Sequence, residues 1–189
     1  MDYDLITTTD FLEKAVSALA GHDLLAIDIK TTGPDPHSDT IRLIQIAAES
    51  GPAILIDFLE LGVASIEPLK LLLASNAEKV LHNAKSTLKF LKTMGIGVSA
   101  SIFDTMLAGQ ILSCGDASEP SLGHLSQQYL KEFLPNDKLD FCGNDLGSQH
   151  FFTAARDTRI ILKLKLALAG HLQKLGLVDV AELELGCKP

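Results

Sequence analysis

The sequence predicts an α/β fold in which a mixed β-sheet is flanked by helices, and two patterns in the chain indicate this. Three short strand-like segments lie between residues 24 and 57, and their connections are too short to contain a helix. Strand-like segments that alternate with amphipathic helices follow, up to residue 172. A meander is antiparallel and strand–helix units add parallel strands, so the sheet combines both directions.

The first half of the chain is predicted to form one helix and then three strands. Asp10–Ala20 has apolar residues at helical spacing, with Thr9 or Asp10 as its N-cap and Gly21 at its end. The turn at Gly33–Thr40 contains two prolines and separates the first two strands. The strands are predicted at Leu24–Ile29, Thr40–Ala48 and Ala53–Asp57.

The second half is predicted to alternate short strands with helices. The strands are Lys79–His82 and Ile102–Asp104. The helices are Ile66–Ala74, Ser86–Met94, Thr105–Leu112, Ser121–Tyr129 and Gly147–Leu172, and a further helix is predicted over Leu177–Leu185.

Composition narrows the class of protein. The chain has 189 residues, which suits one domain, and 47% of them are apolar, enough for a sizeable core. Its net charge of −8 disfavours a tight, non-specific nucleic-acid binder. The three cysteines are widely spaced, which disfavours a disulfide framework or a zinc cluster and fits a reducing cytoplasm. No apolar run is long enough to span a membrane, so no membrane partner is expected.

Four segments, in this order, resemble the DEDD-type (DnaQ-like) 3′–5′ exonucleases, especially the proofreading domain of bacterial DNA polymerase I. They are Asp28–His37 with Ile41–Ala47, Leu81–Leu91, Phe103–Ala108 with Ser121–Leu125, and Thr153–Arg159. The resemblance covers residues 1–175 and implies a ribonuclease H-like fold.

The resemblance also implies two-metal phosphodiester hydrolysis by clustered carboxylates, which are the ligands that Mg²⁺ or Mn²⁺ requires. The family carries an aspartate and a glutamate in a D-x-E on the first strand, and two further aspartates on helices. Here Asp28 and Asp157 are carboxylates at two of these four positions. The position of the glutamate is occupied by Lys30, and that of one helical aspartate is occupied by Thr87. Thr153 stands where the family has a water-orienting tyrosine. Little or no nuclease activity is therefore expected.

Lys30 is the most informative of these substitutions. It lies two residues after Asp28 and so shares a strand face with it. An ammonium there can neutralise Asp28 and Asp157 in place of a cation, since clustered aspartates without one repel each other. The two aspartates are thus either weak or vestigial metal ligands or partners of Lys30.

Other polar residues each have two interpretations. Asn83 either contacts a nucleic-acid backbone or caps the following helix, and Asp104 either binds a ligand or is an N-cap. By resemblance, Thr31, Asn83, Lys85 and Lys89 are candidate nucleic-acid contacts. Lys85, Lys89, Lys92 and Arg42 form either a basic edge or a solvated helix face. His37, His82, His124 and His150 share no metal-ligand spacing and are expected to be structural or surface residues.

The resemblance predicts a catalytically degenerate exonuclease-like domain of a DNA polymerase I-like protein. Its expected partners are single-stranded DNA, bound weakly, and a polymerase domain in cis or in trans. Residues 176–189 are expected to be an extension that leads into such a domain. Two alternatives remain: a weakly active exonuclease that uses the remaining aspartates with Mg²⁺ or Mn²⁺, and a protein-interaction scaffold without nucleic-acid binding.

Overall fold

A six-stranded mixed sheet forms the centre of the described part of the chain. The computed structural model describes residues 2–62, 66–99, 101–114, 120–135, 139–143 and 145–186. The strands are β1 (Tyr3–Ile6), β2 (Leu24–Thr31), β3 (Ile41–Ala47), β4 (Ala53–Asp57), β5 (Glu78–Leu81) and β6 (Ile102–Asp104). Their order is β1-β4-β3-β2-β5-β6. The pairs β4–β3 and β3–β2 are antiparallel and the other three are parallel, as predicted for a mixed sheet.

Helices cover both faces of this sheet. They are α1 (Thr9–Leu19), α2 (Phe58–Leu61), α3 (Glu67–Leu73), α4 (Ala84–Thr93), α5 (Thr105–Leu112), α6 (Leu122–Leu125), α7 (Ser148–Lys174) and α8 (Val178–Gly186). A π-helical turn, Ser126–Leu130, follows α6 directly. No helix of the described residues combines the length and the apolar character that crossing a bilayer requires.

The sequence of β2 explains why its second half carries a functional site. Leu25 and Ile27 are buried in the core under α1, α3 and α4, whereas Leu24 and Ala26 are buried in the core under α5 and α7. Successive side chains of a strand point to opposite faces, so Asp28 and Lys30 continue the series that faces α7. The apolar half of β2 thereby fixes the face on which its polar half lies.

The structure corrects the predicted start of the chain. The first element is β1, which was not predicted, because its four residues gain their order from pairing with β4 and not from a long pattern of their own. The N-cap of α1 is Thr8 rather than Thr9 or Asp10, and its side chain makes no capping hydrogen bond. The short helix α2 was also missed, since one turn carries no helical periodicity; the Asp57 carboxylate caps it by accepting from Leu59 N.

The C-terminal helix prediction is confirmed by α8, in which Ala181 is buried in the core that α7 shares. Residues 187–189, where that helix was predicted to end, lie outside the described residues. The boundary at residue 175 remains a prediction.

A glycine substitution tests how closely α5 and α6 pack. A Cβ atom added at Gly109 would lie 2.7 Å from Leu125 Cδ2 and 3.3 Å from Pro120 Cγ. Leu125 is buried, so Gly109→Ala should cost about 1–3 kcal/mol of unfolding free energy. Gly170→Ala is the matched control, because no atom lies within 4 Å of a Cβ there, and it should stabilise the helix by about 0.4–1 kcal/mol. Urea unfolding measures both; equal stabilities of the two variants would contradict this packing.

Candidate functional site

The candidate site is centred on the ammonium group of Lys30. Its Nζ atom lies 2.8 Å from Asp28 Oδ2 and 2.9 Å from Asp157 Oδ2. All three side chains are mostly buried, with exposed fractions of 19%, 16% and 14% for Lys30, Asp28 and Asp157. The prediction that Lys30 lies between the two aspartates is confirmed.

Elements from the two ends of the chain bring these residues together. Asp28 and Lys30 belong to β2, in which a register shift against β3 falls directly after Lys30. Asp157 lies in α7, which packs on the same face of the sheet through Ala154 and Ala155. These two small residues let the helix approach closely, so its aspartate reaches the strand.

Two opposing effects set the protonation of Lys30. Burial favours its neutral form, but the carboxylates of Asp28 and Asp157 outweigh burial and raise the pKa of Lys30 above its ordinary value. A raised lysine pKa contributes stability that is fully present below the unfolded-state pKa of about 10.4 and is lost as the pH rises through the folded-state value. At neutral pH the ion pairs are therefore intact.

Arg156 adds a second positive charge to the site. Its Nη2 and Nε atoms lie 3.1 and 3.3 Å from Asp157 Oδ1. Asp157 thus has a cation at each carboxylate oxygen, and Asp28, Lys30, Arg156 and Asp157 together carry no net formal charge. Arg156 was not among the predicted site residues, although its place beside Asp157 in the fourth motif was a usable signal.

His82 is a neighbour of the site, and the expectation that it is a structural residue is confirmed. The Thr105 hydroxyl donates to the Leu81 carbonyl at 3.1 Å, so it accepts from His82 Nδ1 at 3.0 Å. This arrangement assigns the proton to Nδ1 and leaves the Nε2 lone pair available. Burial lowers the pKa of His82, an effect that the carboxylates of Asp104 and Asp28 oppose. At neutral pH its imidazole is uncharged.

Asp104 is an N-cap, which is one of the two interpretations that the sequence allowed, and its carboxylate accepts hydrogen bonds at the start of two helices. Its carboxylate accepts from Met106 N and Leu107 N in the first turn of α5. It also accepts from Asn83 N at 3.1 Å and Ala84 N at 2.7 Å, where α4 begins. The Asn83 side chain caps α4 by accepting from Ser86 N, and its backbone is left-handed with φ of 59°. Both residues therefore have structural duties, while nucleic-acid contact by Asn83 stays a prediction.

The remaining predicted residues fall into buried and exposed groups. Thr87 and Thr153 are buried on α4 and α7. Thr31 donates from Oγ1 to the Gly33 carbonyl at 2.7 Å, which holds the turn after β2. Lys85 and Lys89 are exposed one helical turn apart on α4, so they share one face.

Arg42 does not belong to the predicted basic edge. It is 6% exposed and pairs with Asp57 at 2.8 Å. Burial on the sheet, next to the start of α2, removes it from the surface. Lys92 is exposed near the end of α4, so the lysines of α4 alone can form such an edge.

The residues of the site do not fit a pair of divalent metals. Two hard cations need several oxygen ligands each, but only two carboxylates meet here and an ammonium lies within hydrogen-bonding distance of both. Across the described parts of the chain, no group of three or more His, Cys, Asp or Glu side chains is placed to hold a metal ion. A metal would first have to displace Lys30.

Comparison with known proteins relates this chain to a family of exonucleases. Residues 3–173 match the family model of the 3′–5′ exonuclease. DNA polymerase I of Aquifex aeolicus strain VF5 is 37% identical over 130 residues, which are 69% of this chain and 20% of that protein. The chain thus spans about a fifth of that relative's length.

Two solved structures share the fold, which is the ribonuclease H-like fold that the sequence predicted. Escherichia coli RNase D, described as an exoribonuclease involved in structured RNA processing, superposes with a TM-score of 0.86 at 22% identity, covering 97% of this chain and 48% of that one. Brucella melitensis NrnC with bound Mg²⁺ superposes with a TM-score of 0.79 at 21% identity, covering 97% and 86%.

Replacing Lys30 with methionine tests its role as a counter-ion. Lys30→Met keeps most of the bulk but leaves two mostly buried carboxylates without their shared cation, which should cost about 1–3 kcal/mol at pH 7. Lys70→Met is the control, since Lys70 pairs with Glu67 at an exposed position, and it should cost less than about 0.5 kcal/mol. Chemical denaturation at pH 7 measures both variants. A Lys30→Met protein as stable as the parent would show that the ion pairs contribute nothing.

Proposed function

The chain belongs to the 3′–5′ exonuclease family, and from this premise we propose that it binds single-stranded nucleic acid without hydrolysing it. The observation that carries the proposal is the Lys30 ammonium between Asp28 and Asp157, at 2.8 and 2.9 Å. It supplies the positive charge at the centre of the site as a permanent part of the protein. Binding would therefore be independent of divalent metal, and the domain would act beside a polymerase domain in cis or in trans.

The proposed loss of hydrolysis follows from what the cleavage of a phosphodiester requires. Two-metal catalysis activates a water molecule at one ion and stabilises the leaving oxygen at the other. Lys30 and Thr87 supply no carboxylate, and Thr153 is too short to serve as the family's tyrosine. An ammonium paired with two aspartates can neither activate water at neutral pH nor make room for a second cation.

Binding of a single strand requires fewer properties of the site than hydrolysis does. The four charges of Asp28, Lys30, Arg156 and Asp157 sum to zero, so the site does not repel a phosphate as a metal-free cluster of carboxylates would. Lys85 and Lys89 on the exposed face of α4 are suited to contact the backbone further along the strand. The net charge of −8 over the whole chain predicts that this binding is weak and sensitive to salt.

One observation favours a second candidate, a weakly active exonuclease. Asp28 and Asp157 still meet at one point, so a single Mn²⁺ that displaced Lys30 would find two carboxylate ligands. The attraction between the ammonium and these two carboxylates opposes this displacement, and the same attraction raises the pKa of Lys30.

We predict no metal-dependent shortening of single-stranded DNA. A 5′-labelled oligonucleotide incubated with the protein in Mg²⁺ or Mn²⁺ should stay at full length, because the carboxylate positions at Lys30 and Thr87 are lost. Binding of the same oligonucleotide, followed by fluorescence anisotropy in EDTA, should persist. A product ladder that disappears in Asp28→Ala would establish the weak exonuclease instead, and absence of binding would leave only a protein-interaction scaffold.

Restoring the two carboxylates should restore a metal site. For the parent, a metal at one-tenth of its dissociation constant stabilises the fold by only about 0.06 kcal/mol, so millimolar Mn²⁺ should leave its melting temperature unchanged. In the double variant Lys30→Glu with Thr87→Asp, Mn²⁺ at ten times its dissociation constant should add about 1.4 kcal/mol, or roughly 3–6 °C. Differential scanning calorimetry measures both. A large Mn²⁺ shift of the parent, abolished by Asp157→Asn, would contradict the proposal.

A further inference from the structure

Gln45 is a fully buried polar side chain of β3 whose amide has no hydrogen-bond partner. Its exposed fraction is 0%, and neither its Nε2 nor its Oε1 atom has a partner among the described residues. The side chain shares a sheet face with Leu43 and Ala47, which pack in one apolar core with Ala154 and Ala155 of α7. An unpaired donor and an unpaired acceptor in such a core are costly, and folded proteins contain few of them. The presence of this amide therefore needs a reason other than stability.

Asp28 is the neighbour that supplies this reason. In the antiparallel pairing of β2 with β3, Asp28 and Gln45 are directly opposite each other. Side chains at opposite positions lie on the same face with their Cβ atoms about 4.5–5.5 Å apart, so a rotation of the Gln45 side chain brings its amide within reach of the Asp28 carboxylate. The amide nitrogen is a donor and the carboxylate is an acceptor. A donor is thus held beside Asp28 without bonding to it.

The two aspartates of the site differ in the partners that they would keep if Lys30 turned away. Asp157 would keep the guanidinium of Arg156, which lies 3.1 Å from its Oδ1 atom. Among the described residues, Lys30 alone makes a hydrogen bond or a salt bridge to the Asp28 carboxylate. A mostly buried carboxylate without a partner is strongly destabilising, so Lys30 can leave Asp28 only if another donor replaces it. Gln45 is placed to be that donor.

We propose that Gln45 is a positioning residue, which takes over the Asp28 carboxylate when Lys30 turns toward a phosphate of the bound strand. The inference rests on the proposed function. In the free protein the Lys30 ammonium is bonded to both aspartates, so its charge is already compensated. When it exchanges Asp28 for a phosphate oxygen, the number of its bonds is unchanged and Gln45 gains the partner that it lacks. The unpaired amide of the free protein thereby favours the bound state.

A double-variant cycle on thermal stability tests the inference without nucleic acid. Gln45→Met keeps the length of the side chain and removes the amide, so in the parent it should raise the melting temperature by about 3–6 °C. In the Lys30→Met background the sign should reverse, because Asp28 has no ammonium there and Gln45 donates to it; the same change should lower the melting temperature by about 3–6 °C. Differential scanning calorimetry in EDTA measures both effects. Gln173→Met, at an exposed position of α7, is the matched control and should change either value by less than about 1 °C.

Binding of a labelled oligothymidine in EDTA, followed by fluorescence anisotropy, tests the exchange itself. Gln45→Met should bind about tenfold more weakly than the parent although it is the more stable protein, because Asp28 then has no replacement partner. A purely structural role would lower stability and affinity together. Gln173→Met should bind as the parent does.

Three results would overturn the inference and leave the proposed function standing: Gln45→Met destabilises the parent, the sign does not reverse in Lys30→Met, or Gln45→Met binds the strand as tightly as the parent. If the parent binds no strand, the proposed function fails and the inference fails with it. Should Lys30→Met not fold, the stability of Gln45→Met in the parent and its affinity for the strand decide the matter.

Discussion

The contact of one lysine with two aspartates is the interaction on which the site depends. Lys30 and Asp157 are 127 residues apart in sequence, and their ion pair joins the centre of the sheet to the long helix α7. In a metal-dependent relative the carboxylates at this point need an external cation to lie together, because like charges at short distance are costly. Here the cation is covalently part of β2. The arrangement of strand and helix therefore does not depend on the supply of metal.

Near the same site, the carboxylate of Asp104 has a structural role at the start of two helices. Asp104 accepts from backbone amides at the start of two helices, α4 and α5, so its removal would leave several buried or part-buried donors without partners. The position of Thr87 carries no such duty, and a threonine is buried there without disturbing α4. His82 likewise remains fixed by Thr105 at 3.0 Å. By the resemblance, the positions of Lys30, Thr87 and Thr153 have roles in metal or water chemistry, whereas Asp104 and Asn83 organise backbone at the start of helices.

Much of the fold could be predicted because long elements carry their own pattern. β2, α5 and α7 appear where apolar runs and helical periodicity predicted them, and the pairing of Lys30 followed from the two-residue period of a strand. β1 and α2 could not be predicted, since four-residue elements gain their order from β4 and from the Asp57 cap rather than from local pattern. Arg42 was misassigned for a related reason: alternation places it on a strand, but only the tertiary structure reveals its ion pair with Asp57. The Thr153 hydroxyl, which has no hydrogen-bond partner among the described residues, could not be predicted either, because an absent hydrogen bond has no sequence signal.

The proposed function separates recognition of a strand from its cleavage. Cleavage needs charge stabilisation that exists only in the transition state, which is the contribution of the metals in the family. Recognition needs only that the ground-state phosphate is not repelled and that neighbouring bases find surfaces to contact. In the function proposed for this chain, Lys30 in place of a carboxylate removes the first property and makes the second permanent, because the ammonium is present at every metal concentration. A two-metal site without its ions is a cluster of negative charge that excludes the substrate, so affinity there follows the metal. With the ion pairs built in, the proposed function makes affinity a property of the protein alone.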